Sequence, residues 1–234
     1  VFLLISCQQD PENRPNIVLL LADDLGYGEL GSYGQTVIKT PNLDELAEKS
    51  MIFTNFYAGS PVCSPSRAVL LTGKSSSHVS IRGNAAFVRD SLWEQIALDK
   101  NEYTLGEMFN EAGYQSAFVG KWHLGLDSPN TPNERGFNFF HGWLGDMMDD
   151  YWDHKRHGIN YMRHNEEIID PKGHATDLFT DWSIEYIKSK KNITKPFFLY
   201  LAYNAPHFPV QPPKNYLDKV LKREKGIDSI RANL

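Results

Sequence analysis

Four places in this chain gather residues that can do chemistry. The run Ile17-Val18-Leu19-Leu20-Leu21-Ala22 ends in Asp23 and Asp24, Tyr114 to Val119 leads to Lys121 and His123, and Phe197 to Tyr203 leads to Asn204-Ala205-Pro206-His207. The fourth is Cys63, followed by Ser64-Pro65-Ser66-Arg67 and, after Leu70-Leu71-Thr72, by Gly73. Adjacent carboxylates repel unless they share a cation, so Asp23-Asp24 suits a hard divalent ion, which takes about six to eight oxygen ligands. The alternative is that one caps a helix while the other faces water. Pro65 suits the first turn of a helix and Gly73 its end, which places Cys63 at a helix N-terminus. Unpaired N–H groups and the helix dipole favour an anion there, and Arg67 lies about one turn further on. The alternative is an inert buried thiol. Lys121 and His123 taken singly read as surface residues.

The elements that must position these groups follow from periodicity. The three runs are short and apolar throughout, as in strands buried on both faces. Thr40-Pro41 opens a helix through Lys49, with Thr as N-cap and Pro at the first position, and Met51 to Tyr57 reads as a β-rich stretch. Thr104 and Glu107 form a capping-box pattern for a helix that stops at Gly113. Thr176 to Ser189 carries apolar residues at helical spacing. Strands alternating with amphipathic helices predict an α/β fold, a mostly parallel sheet flanked by helices on both faces. Sites in such sheets gather beyond the carboxyl ends of the strands, where all three runs place their polar residues. The region from Asp127 to Gly173, rich in Gly, Asn, His and aromatics, reads as loops over the site, and His141, His154 and His157 among Tyr151, Trp152 and Trp143 suit stacking on a sugar ring.

Composition narrows the classes. The chain has 234 residues, 41% hydrophobic, with a net charge of -5. That length can bury one substantial core, and neither the charge nor any basic run attracts nucleic acid. An anionic ligand must be drawn in by a local cluster. Two cysteines exclude a disulfide framework.

The eleven residues from Cys63 to Gly73 match C-x-P-S-R-x-x-x-L-T-G without a gap. This string resembles the signature of the formylglycine-dependent sulfatases, among them arylsulfatases and N-acetylgalactosamine-sulfatases. Asn16 to Gly26 resembles the first strand and metal loop of that family, Gly113 to His123 its second signature, and Asn204 to His207 the segment that supplies a further histidine. The resemblance implies an alkaline-phosphatase-like fold and a sulfuric ester hydrolase acting on a sulfated sugar or aryl sulfate. It implies that a maturation enzyme oxidises Cys63 to formylglycine, whose hydrate is the nucleophile. Asp23, Asp24 and residue 63 would bind Ca²⁺, with Mg²⁺ as the alternative ion. Arg67 and Lys121 would hold sulfate, His123 would assist breakdown of the covalent intermediate, and His207 would protonate the leaving alcohol. Lys74, next after the signature, has a basic counterpart in relatives that supports the metal and nucleophile region. A phosphate or phosphonate ester hydrolase of the same superfamily is one alternative, and a non-catalytic surface lipoprotein that binds sulfated glycans is another.

Residues 1–15 resemble the tail of an export signal followed by a tether, and residues 16–234 the N-terminal part of a sulfatase catalytic domain. Leu4-Ile5-Ser6-Cys7 is similar to a bacterial lipobox, which implies a lipid anchor at Cys7 and a place in the periplasm or on the cell surface. Family members continue with a second metal pair and a sulfate-binding lysine that this sequence does not show after His207. The expected reading is a C-terminally incomplete sheet, and negligible hydrolysis by residues 1–234 alone.

Overall fold

The computed structural model describes residues 14–89 and 92–227. Cys7, and with it the expected anchor, lies outside the described residues. The elements run in the order β1 (Ile17–Asp23), α1 (Pro41–Glu48), α2 (Cys63–Thr72), a hairpin of β2 (Ala86–Arg89) and β3 (Leu92–Gln95), α3 (Leu105–Glu111), β4 (Gln115–Lys121) and β5 (Phe139–Trp143). There follow β6 (Lys155–Arg156), β7 (Ile159–Asn160), β8 (Met162–His164), β9 (Glu167–Ile168), α4 (Ala175–Ser189), β10 (Phe197–Pro206) and α5 (Lys214–Arg223).

One sheet organises the molecule, in the order β1-β10-β4-β5-β8-β9. Its first four strands are parallel, and β8 and β9 continue it antiparallel. Successive residues of β10 face opposite sides, as strand geometry requires. Phe197 meets Tyr186 of α4 edge-on at 5.9 Å, while Phe198 stacks on Phe109 of α3 at 3.9 Å. Helices therefore cover both faces, and the centre of β10 and β4 is buried as a continuous apolar run should be.

Close packing at the carboxyl end of this sheet depends on small residues. Gly120 has φ of 106°, and a Cβ there would lie 1.9 Å from the carbonyl oxygen of Ala202 on β10. No other residue type fits directly before Lys121.

Two of the start and stop signals act as expected, and one does not. Thr104 caps α3 in a complete capping box with Glu107, and Gly73 closes α2 in the left-handed conformation, its N–H bonding the Val69 carbonyl. Thr40 precedes α1 but makes no N-cap bond; its hydroxyl accepts from the Gly31 N–H and donates to Asp44.

Three expectations need correction. The β1 strand is not buried on both faces: it stands at the sheet edge, with Val18 42% and Leu20 61% exposed. Met51 to Tyr57 is not a strand. It has no partner among the described strands and exposes Phe53, Phe56 and Tyr57. The region from Asp127 to Gly173 is not only loops, because Phe139–Trp143 forms the fourth parallel strand. His141 and Gly142 interrupt its apolar run, which hid it from a periodicity reading.

Candidate active site

The parallel strands end together. β1 stops at Asp23 with a register break between Leu21 and Asp23 that sets Asp23 opposite Pro206 of β10. Beyond their ends, Asp24 (φ 64°) and His123 (φ 58°) adopt left-handed backbone, uncommon for residues with a Cβ and concentrated at functional sites. Cys63 opens α2 with its first turn facing this pole.

Asp23 is the hub. Lys121 Nζ donates to its Oδ2 at 2.5 Å, and Arg67 Nη2 lies 3.3 Å from its Oδ1, all three side chains being buried. Arg67 Nη1 also donates to the Lys121 carbonyl, while its buried Nε has no hydrogen-bond partner among the described residues. The Ser64 hydroxyl donates to the His123 carbonyl at 2.9 Å and so ties α2 to the end of β4. Ligand atoms of Asp23, Cys63 and His207 lie within 4.8 Å of one another. Asp24 sits at the margin, with a side chain 57% exposed and Oδ2 3.5 Å from His207 Nε2.

Electrostatics assigns each group a state. Burial alone would raise the Asp23 pKa, but Arg67 and Lys121 outweigh it and hold the carboxyl below its usual range. Burial likewise opposes ionisation of Cys63, yet a hydrogen bond with His207 and the charge of Lys121 bring the thiol below its ordinary value. The same Cys63 contact, largest of several influences, raises His207. His123 goes the other way: burial, reinforced by Lys121 and Arg67, keeps it well below 6.5 and hence neutral at pH 7. Its Nδ1 is buried without a partner among the described residues. The site thus holds a neutral histidine, His123, and a second, His207, whose pKa is raised by contact with Cys63. Such a division suits a base and an acid.

The donor set fits a hard cation. Asp23 and Asp24 supply oxygens beside residue 63, and the Asp23 carboxyl is kept ionised, as a ligand must be. The buried Arg67 Nε has no partner among the described residues and its guanidinium meets Asp23 at the same pole, which leaves a cationic donor free for an anion such as sulfate.

The structure therefore brings Asp23, Cys63, Arg67, Lys121, His123 and His207 together and leaves Asp24 at their edge. Lys74 is elsewhere. It follows the C-terminal end of α2, about 15 Å along the helix from Cys63, and its Nζ pairs with buried Glu102 at 2.9 Å. The proposed sugar-stacking group is not assembled either. Trp143 is fully buried, His154 is buried, and His141 stacks on Trp182 of α4 with ring centroids 3.5 Å apart.

Sequence reasoning missed two contributors. Asn84 donates from Nδ2 to Cys63 Sγ at 3.2 Å and accepts the Ser64 N–H on Oδ1 at 2.9 Å, so one amide fixes both the thiol and the helix start. Nothing in its polar surroundings marks it, since the contact spans 21 positions. Tyr151 donates to the His207 carbonyl at 2.9 Å.

Comparison with known proteins gives a consistent picture. The sulfatase family model matches residues 15–230. N-acetylgalactosamine-6-sulfatase of Rattus norvegicus is 34% identical over 234 residues, covering 93% of this chain and 44% of that protein. An arylsulfatase of Klebsiella aerogenes is 32% identical over 231 residues, with 92% and 47% covered. The crystal structure of Ps i-CgsB in complex with k-i-k-neocarrahexaose superposes with a TM-score of 0.83 at 29% identity, over 94% of this chain and 51% of that one. The chain spans about half the length of these proteins.

Proposed function

The chain belongs to the sulfatase family, whose model covers residues 15–230, and from that premise we propose that its protein hydrolyses sulfate esters of sugars or aryl alcohols. Its sheet with helices on both faces is the alkaline-phosphatase-like fold of its structural neighbours. The observation that carries the proposal is the meeting of Asp23, Cys63 and His207 within 4.8 Å, at a helix N-terminus backed by Arg67 and Lys121. The proposal includes oxidation of Cys63 to formylglycine by a maturation enzyme, and Ca²⁺ held by Asp23, Asp24 and residue 63. When present, formylglycine supplies the attacking oxygen and Ca²⁺ supplies charge neutralisation and a lowered hydroxyl pKa.

The chain's own residues do the rest. Arg67 has an unused Nε, and the Lys121 ammonium carries three donors, so both retain capacity for sulfate oxygens while sharing Asp23. His207, inclined to carry a proton, delivers it to the oxygen of the departing alcohol as the S–O bond breaks. His123, neutral through burial, takes the proton whose loss resets residue 63 for another turnover.

The test is hydrolysis of nitrophenyl sulfate against nitrophenyl phosphate by protein co-expressed with a maturation enzyme and supplied with Ca²⁺. A clear preference for the sulfate is expected. Preference for the phosphate would instead make the protein a phosphoesterase of the same superfamily.

A further inference from the structure

The chemistry above leaves a groove unused. It encloses about 660 Å³, within the roughly 300–1,000 Å³ usual for small-molecule sites, and it lies between residues 38–41, the segment 205–213 and α5. Where it meets the site it is lined by His207 and Tyr151. Four prolines in the 206–213 segment give it a stiff wall with few N–H donors. Its charged lining is one-sided: Lys39, Lys219 and Arg223 stand against the single carboxylate of Asp177.

These cations are not equivalent. Arg223 is already committed, its Nε bonding the Glu224 carboxylate at 2.7 Å. Lys39 donates only to the Thr36 carbonyl, and Lys219 Nζ sits 5.2 Å from the ring centroid of half-exposed Tyr216, so neither meets a carboxylate among the described residues. Lys219 and Tyr216 together present a cation beside an aromatic surface. That pairing suits a sugar ring bearing a negative group, the ring on apolar surface and the charge on the ammonium.

Position links the groove to the reaction. The scissile sulfate belongs beside residue 63, whose ligand atom lies within 4.8 Å of that of His207, so its leaving oxygen sits close to the mouth of the groove. Whatever continues from that oxygen enters the groove that His207 lines. We propose that the groove receives the departing sugar and the residue linked to it, and that Lys39 and Lys219 select a second anionic group there, a carboxylate or further sulfate. The substrate class is then a sulfated oligosaccharide of an acidic glycan. This rests on the sulfatase reading. A plain aryl alcohol would touch only the apolar wall and leave both lysines unused.

The test compares a sulfated N-acetylhexosamine with the same sugar linked to a uronic acid. Both are titrated calorimetrically into the Cys63→Ala full chain, which turns neither over, and KM is measured for both and for nitrophenyl sulfate with the matured, Ca²⁺-loaded protein. The disaccharide should bind about tenfold tighter, the size of one or two charge-assisted contacts. The Lys39→Ala/Lys219→Ala double variant should lose that preference, Lys219→Glu should reverse it, and Lys191→Ala, in the turn after α4, should keep it. Equal affinities in the parent chain, or a preference that survives the double variant, would overturn the proposal. Hydrolysis without preference removes the groove alone, whereas preference by calorimetry without hydrolysis of any ester removes the sulfatase reading and leaves the groove standing.

Discussion

Two histidines of this molecule, His207 and His141, are both partly buried at the same sheet, and their protonation is pushed in opposite directions. His207 lies beyond the end of β10, where contact with Cys63 outweighs burial and raises its pKa. His141 lies within β5, stacked on Trp182 beside His164, and burial takes its pKa down to about 3. Burial alone makes a neutral packing group. An ionisable partner at the carboxyl pole makes a proton donor of the same side chain, so partners, rather than residue type or depth, separate the chemical pole of this sheet from its structural one.

Substitutions at the two poles should separate activity from stability. His207→Ala should lower kcat for nitrophenyl sulfate by about 10²- to 10⁴-fold, the usual worth of a positioned acid, with little change in the urea midpoint. His141→Phe should do the reverse, and steady-state kinetics beside urea unfolding will show whether the two profiles cross.

Lys121→Met sharpens the contrast from the side of charge. It leaves Asp23 buried with Arg67 as its remaining cation, and breaking a buried pair this way costs about 3–5 kcal/mol. Urea unfolding should show that loss, and the Lys121→Met/Asp23→Asn double variant should recover part of it.

How much of this was legible beforehand depends on the range of each contact. The capping box of α3, Gly73 at the end of α2 and the polar residues ending the three apolar runs are local patterns, and they placed Asp23, Lys121, His123 and His207 at one pole. Arg67 was legible because one helical turn carries it inward from Cys63. Asn84 was not, because its bond to the thiol exists only once the chain has folded back over 21 positions. β5 was missed for a related reason: His141 breaks its apolar pattern, and the Trp182 ring that makes a buried histidine tolerable comes from α4. The exposure of β1 was equally hidden, since an edge and a centre strand can carry the same residues.

The pH dependence of stability should report His141. Its folded-state pKa of about 3 lies below the ordinary 6.5, so between those values the unfolded chain binds the proton more readily. The contribution is complete above pH 6.5 and is lost as pH falls toward 3, with a slope of at most ~1.4 kcal/mol per pH unit, reduced here by partial exposure. Urea midpoints at pH 7 and pH 5 should differ more in the parent than in His141→Phe.

The smallest expected effect is at Asn84. Asn84→Ala removes one hydrogen bond to Cys63 and one from Ser64, worth about 1 kcal/mol each. A fall in kcat of about five- to tenfold is expected, together with slower conversion of Cys63 by the maturation enzyme, followed by peptide mass spectrometry.

The proposed chemistry builds the carboxyl pole around a nucleophile made from Cys63. Mass spectrometry of the peptide carrying residue 63, after co-expression with a competent maturation enzyme, tests it most directly. The expected mass is that of an aldehyde in place of the thiol side chain, CHO for CH₂SH, in the same preparation that releases sulfate from nitrophenyl sulfate. Sulfate release by protein whose residue 63 is entirely unmodified cysteine would contradict it.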